Sequence, residues 1–341
     1  DLVRSRGLGD VYKRQCYNCE KTLDRFMRSV ISESYRPLEL ICIDDGSTDD
    51  TAKLLKNFET ILKESGVQYT VLTQENIGLG GAIQTGLLHA HGDFLCWADP
   101  DDFLLPGSVE KRATYLLQHP ACGAVSSDAF VFDESDLKTP LYREAARFSH
   151  RFELMQFWYL LRGEGMVCAG CHMIRMRCFD EAVPNRMIYP ARRGQNYQLM
   201  LPVCYKFPHA FLDEPLYGYV KYQNGMSAGD VTETDKLRRI AEHETILLQT
   251  AKQIKMPEAE YQKCLDEIEK RYALQRFYTA IDFRNKVLLQ EQYAILKKYG
   301  AVTRDIKKLY RRNHTVLHKL CFKFYEGGKN YVQNFGDRAR V

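Results

Sequence analysis

Three carboxylates stand within four positions at Asp99, Asp101 and Asp102, directly after the apolar run Phe94–Trp97. We call these three residues the acidic cluster. Like charges this close repel one another, so a fold tolerates them only if the loop is fully solvated or a cation neutralises it. Carboxylate oxygens favour hard cations such as Mg²⁺ and Mn²⁺. Taken alone, the cluster is either a solvated acidic turn or part of a metal site.

The elements that must position these carboxylates alternate between strands and helices. Apolar strands are predicted over 38–43, 67–73 and 94–97, and helices over 19–34, from 47, over 78–89 and over 106–119. Such alternation is typical of βαβ units around a parallel sheet. Ligands of these sheets lie outside the carboxyl ends of the strands. Both the acidic cluster and a second pair, Asp44 and Asp45, fall at such ends.

The rest of the chain has a different character. Residues 121–229 are mixed and rich in aromatic side chains, with helices predicted over 151–161 and 195–205. From residue 232 onward apolar side chains recur at helical spacing, as at Tyr261, Leu265, Ile268 and Tyr272. This spacing predicts helix-packing surfaces.

The composition is that of a globular protein, with 341 residues, 45% of them hydrophobic and 27% charged. No run is long enough to span a bilayer, and no secretory signal is visible. The eleven cysteines are scattered, which favours reduced thiols in a cytoplasmic protein. Two C-x-x-C pairs, Cys16/Cys19 and Cys168/Cys171, could together bind zinc, but no knuckle-like context supports such a site.

Positive charge is concentrated at the end of the chain. Residues 297–341 contain 12 Lys and Arg against 3 Asp and Glu, whereas the whole chain has a formal net charge of +4. This basic tail suits an anionic surface, either a membrane or a polyanion, and it equally suits a solvated helical face. We expect no nucleic-acid partner.

The first fifteen residues, DLVRSRGLGDVYKRQ, show neither helical nor strand periodicity. A parallel α/β domain normally opens with a buried apolar strand, and none is visible here. The string is similar to translated sequencing-adapter read-through, and the alternative is an ordinary disordered leader. We therefore expect residues 1–15 to be a non-native or disordered leader that replaces the first strand.

Four motifs follow one another in a fixed order along residues 16–102. They are Tyr17-Asn18, the string IDDGSTD over 43–49, the segment from Asn76-x-Gly78 to Gly92-Asp93, and the acidic cluster. Together they resemble a family-2 glycosyltransferase of the bacterial surface-polysaccharide type, over about residues 16–225. The resemblance implies an α/β GT-A fold, with a Rossmann-like mixed sheet flanked by helices and a C-terminal helical extension.

The resemblance also implies roles for individual residues. The donor would be a nucleoside diphosphate sugar, and Asp101 and Asp102 would hold Mn²⁺ or Mg²⁺ on its diphosphate. Lys221 would add positive charge near the diphosphate, or would be an ordinary exposed strand lysine. The nucleotide-sugar-binding residues would be Tyr17, Asn18, Asp44, Asp45, Asn76, Gly78, Asp99 and Lys221.

One departure from the family concerns the general base that deprotonates the acceptor hydroxyl. The family carries a Glu-Asp pair at the start of a late helix, where this chain has Gln195-Asn196. An amide cannot take a proton at neutral pH. Three hypotheses follow: another acid serves as base, Asn196 positions the acceptor by hydrogen bonds, or the protein binds a nucleotide sugar without transfer. The nearest other acids in sequence are Glu164, Asp213 and Glu214.

We predict a metal-dependent, inverting glycosyltransferase that acts on a glycan or lipid-linked acceptor in the cytoplasm, with the basic tail at the inner face of the plasma membrane. The expected parts are the leader (1–15), a transferase domain (16–229, with a nucleotide-binding half over 16–120 and an acceptor half over 121–229) and a helical region (230–341). A catalytically impaired binding or scaffold protein is the alternative. A nucleotidyltransferase is a third possibility, but it would need a Gly-rich basic loop near the amino terminus, where only Gly7-Leu8-Gly9 is found.

Overall fold

The computed structural model describes residues 10–223 and 229–314, with side chains from residue 16 onward. It divides into two compact units. The first comprises Asp1–Met226 and Gln249–Lys255, and the second comprises Ser227–Leu248 and Met256–Val341. The Gly7-Leu8-Gly9 string and residues 315–341 of the basic tail lie outside the described residues.

The first unit is built on strands and helices that alternate along its amino-terminal half. Its strands are β1 (Asp10–Cys16), β2 (Leu38–Asp44), β3 (Val67–Thr73), β4 (Phe94–Trp97), β5 (Phe103–Leu104), β6 (Ala124–Asp133), β7 (Tyr142–Arg143), β8 (His172–Arg175) and β9 (His209–Lys221). Its helices are α1 (Leu23–Ile31), α2 (Thr51–Glu64), α3 (Gly78–Leu88), α4 (Ser108–Gln118), α5 (Phe157–Arg162), α6 (Met176–Ala182) and α7 (Gln195–Lys206).

The strands form one mixed sheet with the order β3-β2-β1-β4-β8-β6-β9-β5, and β7 pairs with β6. The β3, β2, β1 and β4 strands are parallel to one another, whereas β8 is antiparallel to both β4 and β6. Every side chain of β2 and β4 is buried, as expected for parallel strands that are covered on both faces. The predicted α/β architecture, a mixed sheet flanked by helices, is confirmed.

Two local expectations were wrong. Residues 10–16, predicted to lie in a leader or at its border, form β1, which pairs in parallel with both β2 and β4. Backbone hydrogen bonds to two flanking strands define this strand, so hydrophobic periodicity alone could not reveal it. The helix predicted over 151–161 forms only as α5, because the Gln156 amide donates to the carbonyl of His150 (2.7 Å) and also to that of Glu153, which fixes a turn.

The second unit is helical, as predicted for the C-terminal region. It contains most of α8 (Glu233–Gln253) together with α9 (Glu258–Asp282), α10 (Lys286–Lys298) and α11 (Arg304–His314). Phe277 of α9, Leu289 and Leu296 of α10 and Ile306 of α11 share one apolar core. In the part of the chain that is described, no helix is both long and apolar enough to cross a membrane.

Candidate functional site

The loop after β2 is organised by two buried aspartates. Asp44 ends β2 and accepts a hydrogen bond from the Ser47 backbone N–H (3.0 Å). Asp45 is completely buried, and its two oxygens accept from the backbone N–H groups of Ile77 (3.1 Å) and Gly78 (3.0 Å). The Gln74 amide donates a third bond to Asp45 (2.7 Å). Asp45 therefore fixes the loop that precedes α3, and the structure places Asp44 beside it at the carboxyl end of β2.

The turn after β1 is joined to the turn before α2. Asn18 has a left-handed backbone (φ +48°), and its Oδ1 accepts from the Thr48 backbone N–H (2.9 Å). The Asn18 N–H donates in return to the Ser47 hydroxyl (3.2 Å). Tyr17 is 47% exposed beside this junction. The predicted residues Tyr17 and Asn18 thus lie next to the 44–48 segment, and the Asn18 side chain braces that segment.

The loop before α3 packs tightly on the loop before α7. Asn76 is exposed, and Gly78 has a left-handed backbone (φ +82°), which suits glycine. A Cβ atom on Gly78 would lie 3.1 Å from Cγ of Arg192. A Cβ atom on Gly80 would lie 2.6 Å from the Ala191 carbonyl oxygen, to which the Gly80 N–H donates (2.7 Å). The two loops therefore meet at glycines that leave no room for a side chain.

The acidic cluster begins directly after β4, and its members differ in burial. Asp99 and Asp101 are partly exposed, whereas Asp102 is 1% exposed. Asp102 accepts from the Tyr217 hydroxyl (2.8 Å) and from the Val220 N–H (2.8 Å). Burial raises the pKa of Asp102 well above its usual range, and the charges of Asp101 and Asp99 add to that rise. Asp102 thus holds β9 against the cluster, while Asp99 and Asp101 are the two members that reach solvent.

Tyr217 links the cluster to the middle of the sheet. It is completely buried, and its hydroxyl also accepts from the Asp99 backbone N–H (3.1 Å). A Cβ atom on Gly170 would lie 1.9 Å from the Tyr217 ring. The buried Arg112 guanidinium donates to the Gly170 carbonyl (2.7 Å) and so holds this close approach in place. The position of the acidic cluster consequently depends on residues that are distant in sequence.

The structure gives Asn196 two protein partners. Its Oδ1 accepts from the Trp97 indole N–H (2.7 Å), and its Nδ2 donates to the Val167 carbonyl (2.7 Å). An indole N–H can only donate and a carbonyl oxygen can only accept, so the position needs both the accepting oxygen and the donating nitrogen of an amide. Asn196 therefore ties the first turn of α7 to the end of β4. Its neighbour Gln195 is buried, with no hydrogen-bond partner for its Oε1.

The three other acids considered for acceptor activation lie in different settings. Asp213 and Glu214 fall where the pairing of β6 and β9 is irregular, and they form ion pairs with Arg143 and Lys111 respectively. Glu164 is exposed after α5. Two of the three acids are thus engaged with basic side chains, and the third faces solvent.

Lys221 ends β9 with an exposed side chain whose Nζ lies 4.9 Å from the centre of the Tyr142 ring. Glu144, which sequence reasoning missed, follows β7 and is 8% exposed. Burial raises the pKa of Glu144, whereas the charges of Arg147, its ion-pair partner, and of Lys221 oppose the rise. Lys221 therefore lies near a buried carboxyl group and on the strand that Asp102 holds.

Two buried histidines lie behind the site. The Ser126 hydroxyl hydrogen-bonds both to Nδ1 of His172 and to Nε2 of His209 (2.6 Å to the latter). The His172 ring also stacks on Trp97, with ring centres 5.7 Å apart. Burial lowers the pKa of His172 well below its usual range and that of His209 to about 4. Both rings are therefore neutral near pH 7 and serve the packing beneath Trp97.

The side chains of the candidate site match the ligands that a hard divalent cation prefers only in part. Across residues 10–223 and 229–314, no group of three or more His, Cys, Asp or Glu side chains is arranged to hold a metal ion. The two C-x-x-C pairs therefore do not form such a group there. Mg²⁺, however, is commonly bound by one or two carboxylates together with substrate phosphates. The partly exposed Asp99 and Asp101 fit that pattern, whereas Asp102 is bonded to protein donors.

The sequence predicted which aspartates lie at the strand ends, but it did not reveal the side chains that surround them. Trp97, Tyr217 and Glu144 carry no motif of their own, and Tyr217 lies 115 positions from the Asp102 side chain that it contacts. Asp44, Asp45 and the acidic cluster do meet at one edge of the sheet, since β2 and β4 both flank β1. Only the apolar run before the cluster gave a signal for Trp97.

Comparison with known proteins identifies the family. Residues 15–182 match Glycosyl transferase family 2. EpsE of Bacillus subtilis, which carries the name of a glycosyltransferase, is 25% identical over 248 residues, covering 72% of this chain and 82% of EpsE. The poly-β-1,6-N-acetyl-D-glucosamine synthase of Staphylococcus aureus is 28% identical over 134 residues, covering 38% of this chain and 30% of the synthase.

Solved structures agree with this likeness at the level of the fold. The crystal structure of S. aureus TarS 1–349 in complex with UDP-GlcNAc superimposes with a TM-score of 0.62 at 15% identity, covering 95% of this chain and 93% of that one. The family match, the named relatives and the shared fold lead to one conclusion: residues 15–182 of this chain are a family-2 glycosyltransferase domain, on a GT-A fold.

Proposed function

We propose that this glycosyltransferase moves a sugar from a nucleoside diphosphate sugar to an acceptor hydroxyl, with inversion, during synthesis of a surface polysaccharide or glycolipid. One observation carries the proposal: the Asp44–Asp45 pair and the acidic cluster lie at the same carboxyl edge of the sheet, after the parallel strands β2 and β4 that flank β1. Ligands of such sheets bind at this edge. The TarS structure with UDP-GlcNAc and the polysaccharide synthase among the relatives support the same substrate class.

In this reaction the acceptor oxygen bonds to the anomeric carbon of the sugar while the bond from that carbon to the phosphate oxygen breaks. The proton of the acceptor hydroxyl goes to a general base, and the nucleoside diphosphate leaves. The 44–48 and 76–78 segments, held together by Asp45, would bind the nucleoside. Tyr217 holds the Asp99 backbone of the acidic cluster, and Trp97 ties the end of β4 to Asn196.

We further propose that Asp101, together with Asp99, holds Mn²⁺ or Mg²⁺ on the donor diphosphate. A bound divalent ion would act as a Lewis acid that stabilises the negative charge of the leaving group. Asp102, which the sequence assigned to the same ion, would keep the loop in place through Tyr217 and Val220. This division of roles follows from the exposure of the three carboxyl groups.

Glu144 is our proposed acceptor base, in preference to Glu164, Asp213 and Glu214. A carboxylate serves as base near neutral pH when its environment raises its pKa, and burial does so for Glu144. Contacts also place it near the site: Glu144 directly follows β7, whose Tyr142 ring lies 4.9 Å from Nζ of Lys221. Lys221 is next to Val220, whose N–H donates to Asp102 of the acidic cluster.

The test is release of nucleoside diphosphate from a panel of UDP-, GDP-, dTDP- and CDP-sugars, with Mn²⁺ or Mg²⁺ and without an added acceptor. We expect at least one donor to be hydrolysed, and Asp101→Asn to abolish the hydrolysis. Asp24→Asn, which removes an exposed carboxylate on α1, is the matched control. Glu144→Gln should retain donor binding and lose transfer once an acceptor is known. If no donor binds to the native chain, the proposed function is wrong.

A second candidate function is binding of a nucleotide sugar without transfer, as a scaffold of a synthase complex. It is supported by Asn196, whose amide is fully engaged with Trp97 and Val167 where the family has its base. Calorimetry separates the two functions. Tight, metal-dependent donor binding without nucleotide release in the presence of candidate acceptors would favour the binding protein.

Membrane attachment stays a proposal. Residues 297–314 of the basic tail include α11, with exposed Lys307, Lys308, Arg311 and Arg312. Such a surface suits an anionic bilayer at the inner face of the plasma membrane, and a cytoplasmic location would follow. Co-sedimentation with anionic and with neutral vesicles tests it, and equal binding to both would contradict it.

A further inference from the structure

The loop over residues 186–194, which precedes α7, is held in place by two glutamine side chains. The Gln84 amide donates to the Arg186 carbonyl (2.8 Å) and accepts from the Ile188 N–H (2.7 Å). The Gln198 amide does the same with Tyr189, accepting from its N–H (2.6 Å) and donating to its carbonyl (2.9 Å). Four hydrogen bonds therefore fix the backbone of the 186–194 loop before it reaches the site.

This loop places Arg192 on the nucleotide side of the site. The Cγ of Arg192 lies 3.1 Å from the position that a Cβ atom on Gly78 would take, and its Cα lies 3.4 Å from it. Gly78 is the residue whose N–H donates to Asp45 (3.0 Å). The stem of the arginine thus packs on the glycine that Asp45 holds, while the side chain as a whole is exposed.

The other end of the loop is tied to the acidic cluster. Asn196, four residues after Arg192, bonds to Trp97, which stands two residues before Asp99. Since β1 alone separates β2 from β4, the carboxyl ends of β2 and β4 are about 10 Å apart. Arg192 therefore lies on the segment that crosses from the Asp44–Asp45 pair to the acidic cluster, along the edge where a donor would bind.

The negative charge at that edge favours a positively charged side chain nearby. Asp99 and Asp101 are partly exposed there, Asp44 and Asp45 stand at the end of β2, and a diphosphate would add further negative charge. A guanidinium group can donate two parallel hydrogen bonds to phosphate oxygens, which makes arginine well suited to this task. Lys221, the cation that the sequence suggested, is instead placed over the Tyr142 ring and near Glu144.

We propose that Arg192 binds the diphosphate of the donor, with Gln84 and Gln198 as the residues that position its loop. The inference rests on the proposed function, since it names the group that recognises the charged part of the same donor. It adds a phosphate contact that comes from the acceptor half of the chain and reaches back to the nucleotide-binding half. Donor binding and the start of α7 would thereby be coupled.

Calorimetry with two variants tests the proposal. Arg192→Gln removes the charge but keeps a stem over Gly78, and Arg192→Lys keeps the charge but not the planar fork. The probes are UDP, GDP, dTDP and CDP, each with Mn²⁺, followed by the nucleoside of whichever diphosphate binds best. We expect Arg192→Gln to weaken diphosphate binding about tenfold or more, Arg192→Lys to weaken it less, and neither to change nucleoside binding. Lys56→Ala, on the exposed face of α2, controls for net charge.

The outcomes separate this inference from the function on which it rests. If Arg192→Gln binds the diphosphate as tightly as the native chain does, the inference is overturned and the proposed function stands. The inference is likewise overturned if the variant loses diphosphate and nucleoside binding equally, because the arginine would then only support the loop. If the native chain binds none of the four diphosphates, the proposed function itself fails.

Discussion

Replacing Asn196 by aspartate restores the residue type that the family carries at the start of α7, and we predict that the substitution lowers the stability of this protein. The Asn196 amide donates to the Val167 carbonyl at 2.7 Å and accepts from the Trp97 indole at 2.7 Å. An ionised aspartate can still accept from Trp97, but it faces Val167 with an oxygen. The substitution therefore removes one hydrogen bond and creates a repulsive oxygen–oxygen contact.

The magnitude follows from that contact. A neutral hydrogen bond contributes about 0.5–1.5 kcal/mol net, and a buried carbonyl left without a donor costs about 1–3 kcal/mol. Because Asn196 is half-buried, we expect Asn196→Asp to lower the free energy of unfolding by about 2–3 kcal/mol at pH 7.5. In a unit of this size that corresponds to a melting temperature about 4–12 °C lower.

The pH dependence has a definite sign. Only the protonated aspartic acid can donate to the Val167 carbonyl, so the folded state raises the pKa of the new carboxyl above its unfolded value. Stability that depends on a group with a raised pKa is present at low pH and is lost as pH rises through the folded pKa. The deficit of Asn196→Asp should consequently shrink between pH 7.5 and pH 5.

Thermal unfolding of the native chain, Asn196→Asp and Asn196→Ala at both pH values measures this. Asn196→Ala loses both hydrogen bonds and gains no titratable group, so its deficit should be the same at pH 7.5 and pH 5. Donor hydrolysis by the aspartate variant should not exceed that of the native chain. An Asn196→Asp variant that is as stable as the native chain and turns over faster would refute the reasoning, since the position would then be a base site that has lost its acid.

Three further predictions concern the supports of the site. Gly170→Ala should fail to give a folded chain by circular dichroism, because the new Cβ would lie 1.9 Å from the Tyr217 ring, whereas Gly229→Ala, whose Cβ would have no atom of the described residues within 4 Å, should fold normally. His209 has a pKa of about 4 when folded against an ordinary 6.5, so stability should fall as pH drops from 6.5 to 4, by about 1.4 kcal/mol per unit. The free energy of unfolding, measured with urea at pH 7, 6 and 5, should depend less steeply on pH in His209→Gln than in the native chain. An unchanged pH dependence would contradict the assignment. Asp45→Asn should lower the melting temperature and weaken nucleotide binding, because an amide in this place cannot accept the hydrogen bonds from Gln74, Ile77 and Gly78 together. Wild-type values in both assays would count against this role.

Much of the nucleotide-binding half could be predicted because its signals are local. The strands β3 and β4 begin and end at the predicted residues, and both acidic groups fall at strand ends as expected. An apolar run followed by aspartates carries that information within ten residues. The first strand was missed because two flanking strands define it through backbone hydrogen bonds, and such bonds leave no trace in side-chain pattern.

The acceptor half was harder to predict because its contacts are distant in sequence. The Trp97–Asn196 hydrogen bond joins residues 99 positions apart, and the Gln84–Ile188 bond joins residues 104 positions apart. Burial is equally invisible from local pattern: Asp102 and Asp101 are adjacent, yet only Asp102 is buried. Sequence reasoning could name the carboxylates of the cluster but could not divide their roles.

The amide at position 196 makes sense once its two partners are considered together. An indole N–H needs an acceptor and a carbonyl needs a donor, and among side chains of this size only an amide supplies both at neutral pH. The residue that departs from the family is therefore matched to Trp97 and Val167, which lie on either side of it. That match joins the strand carrying the acidic cluster to the segment before Cys168. It follows that in this chain the start of α7 contributes rigidity to the site. We therefore propose that activation of the acceptor hydroxyl comes from a carboxylate outside that helix.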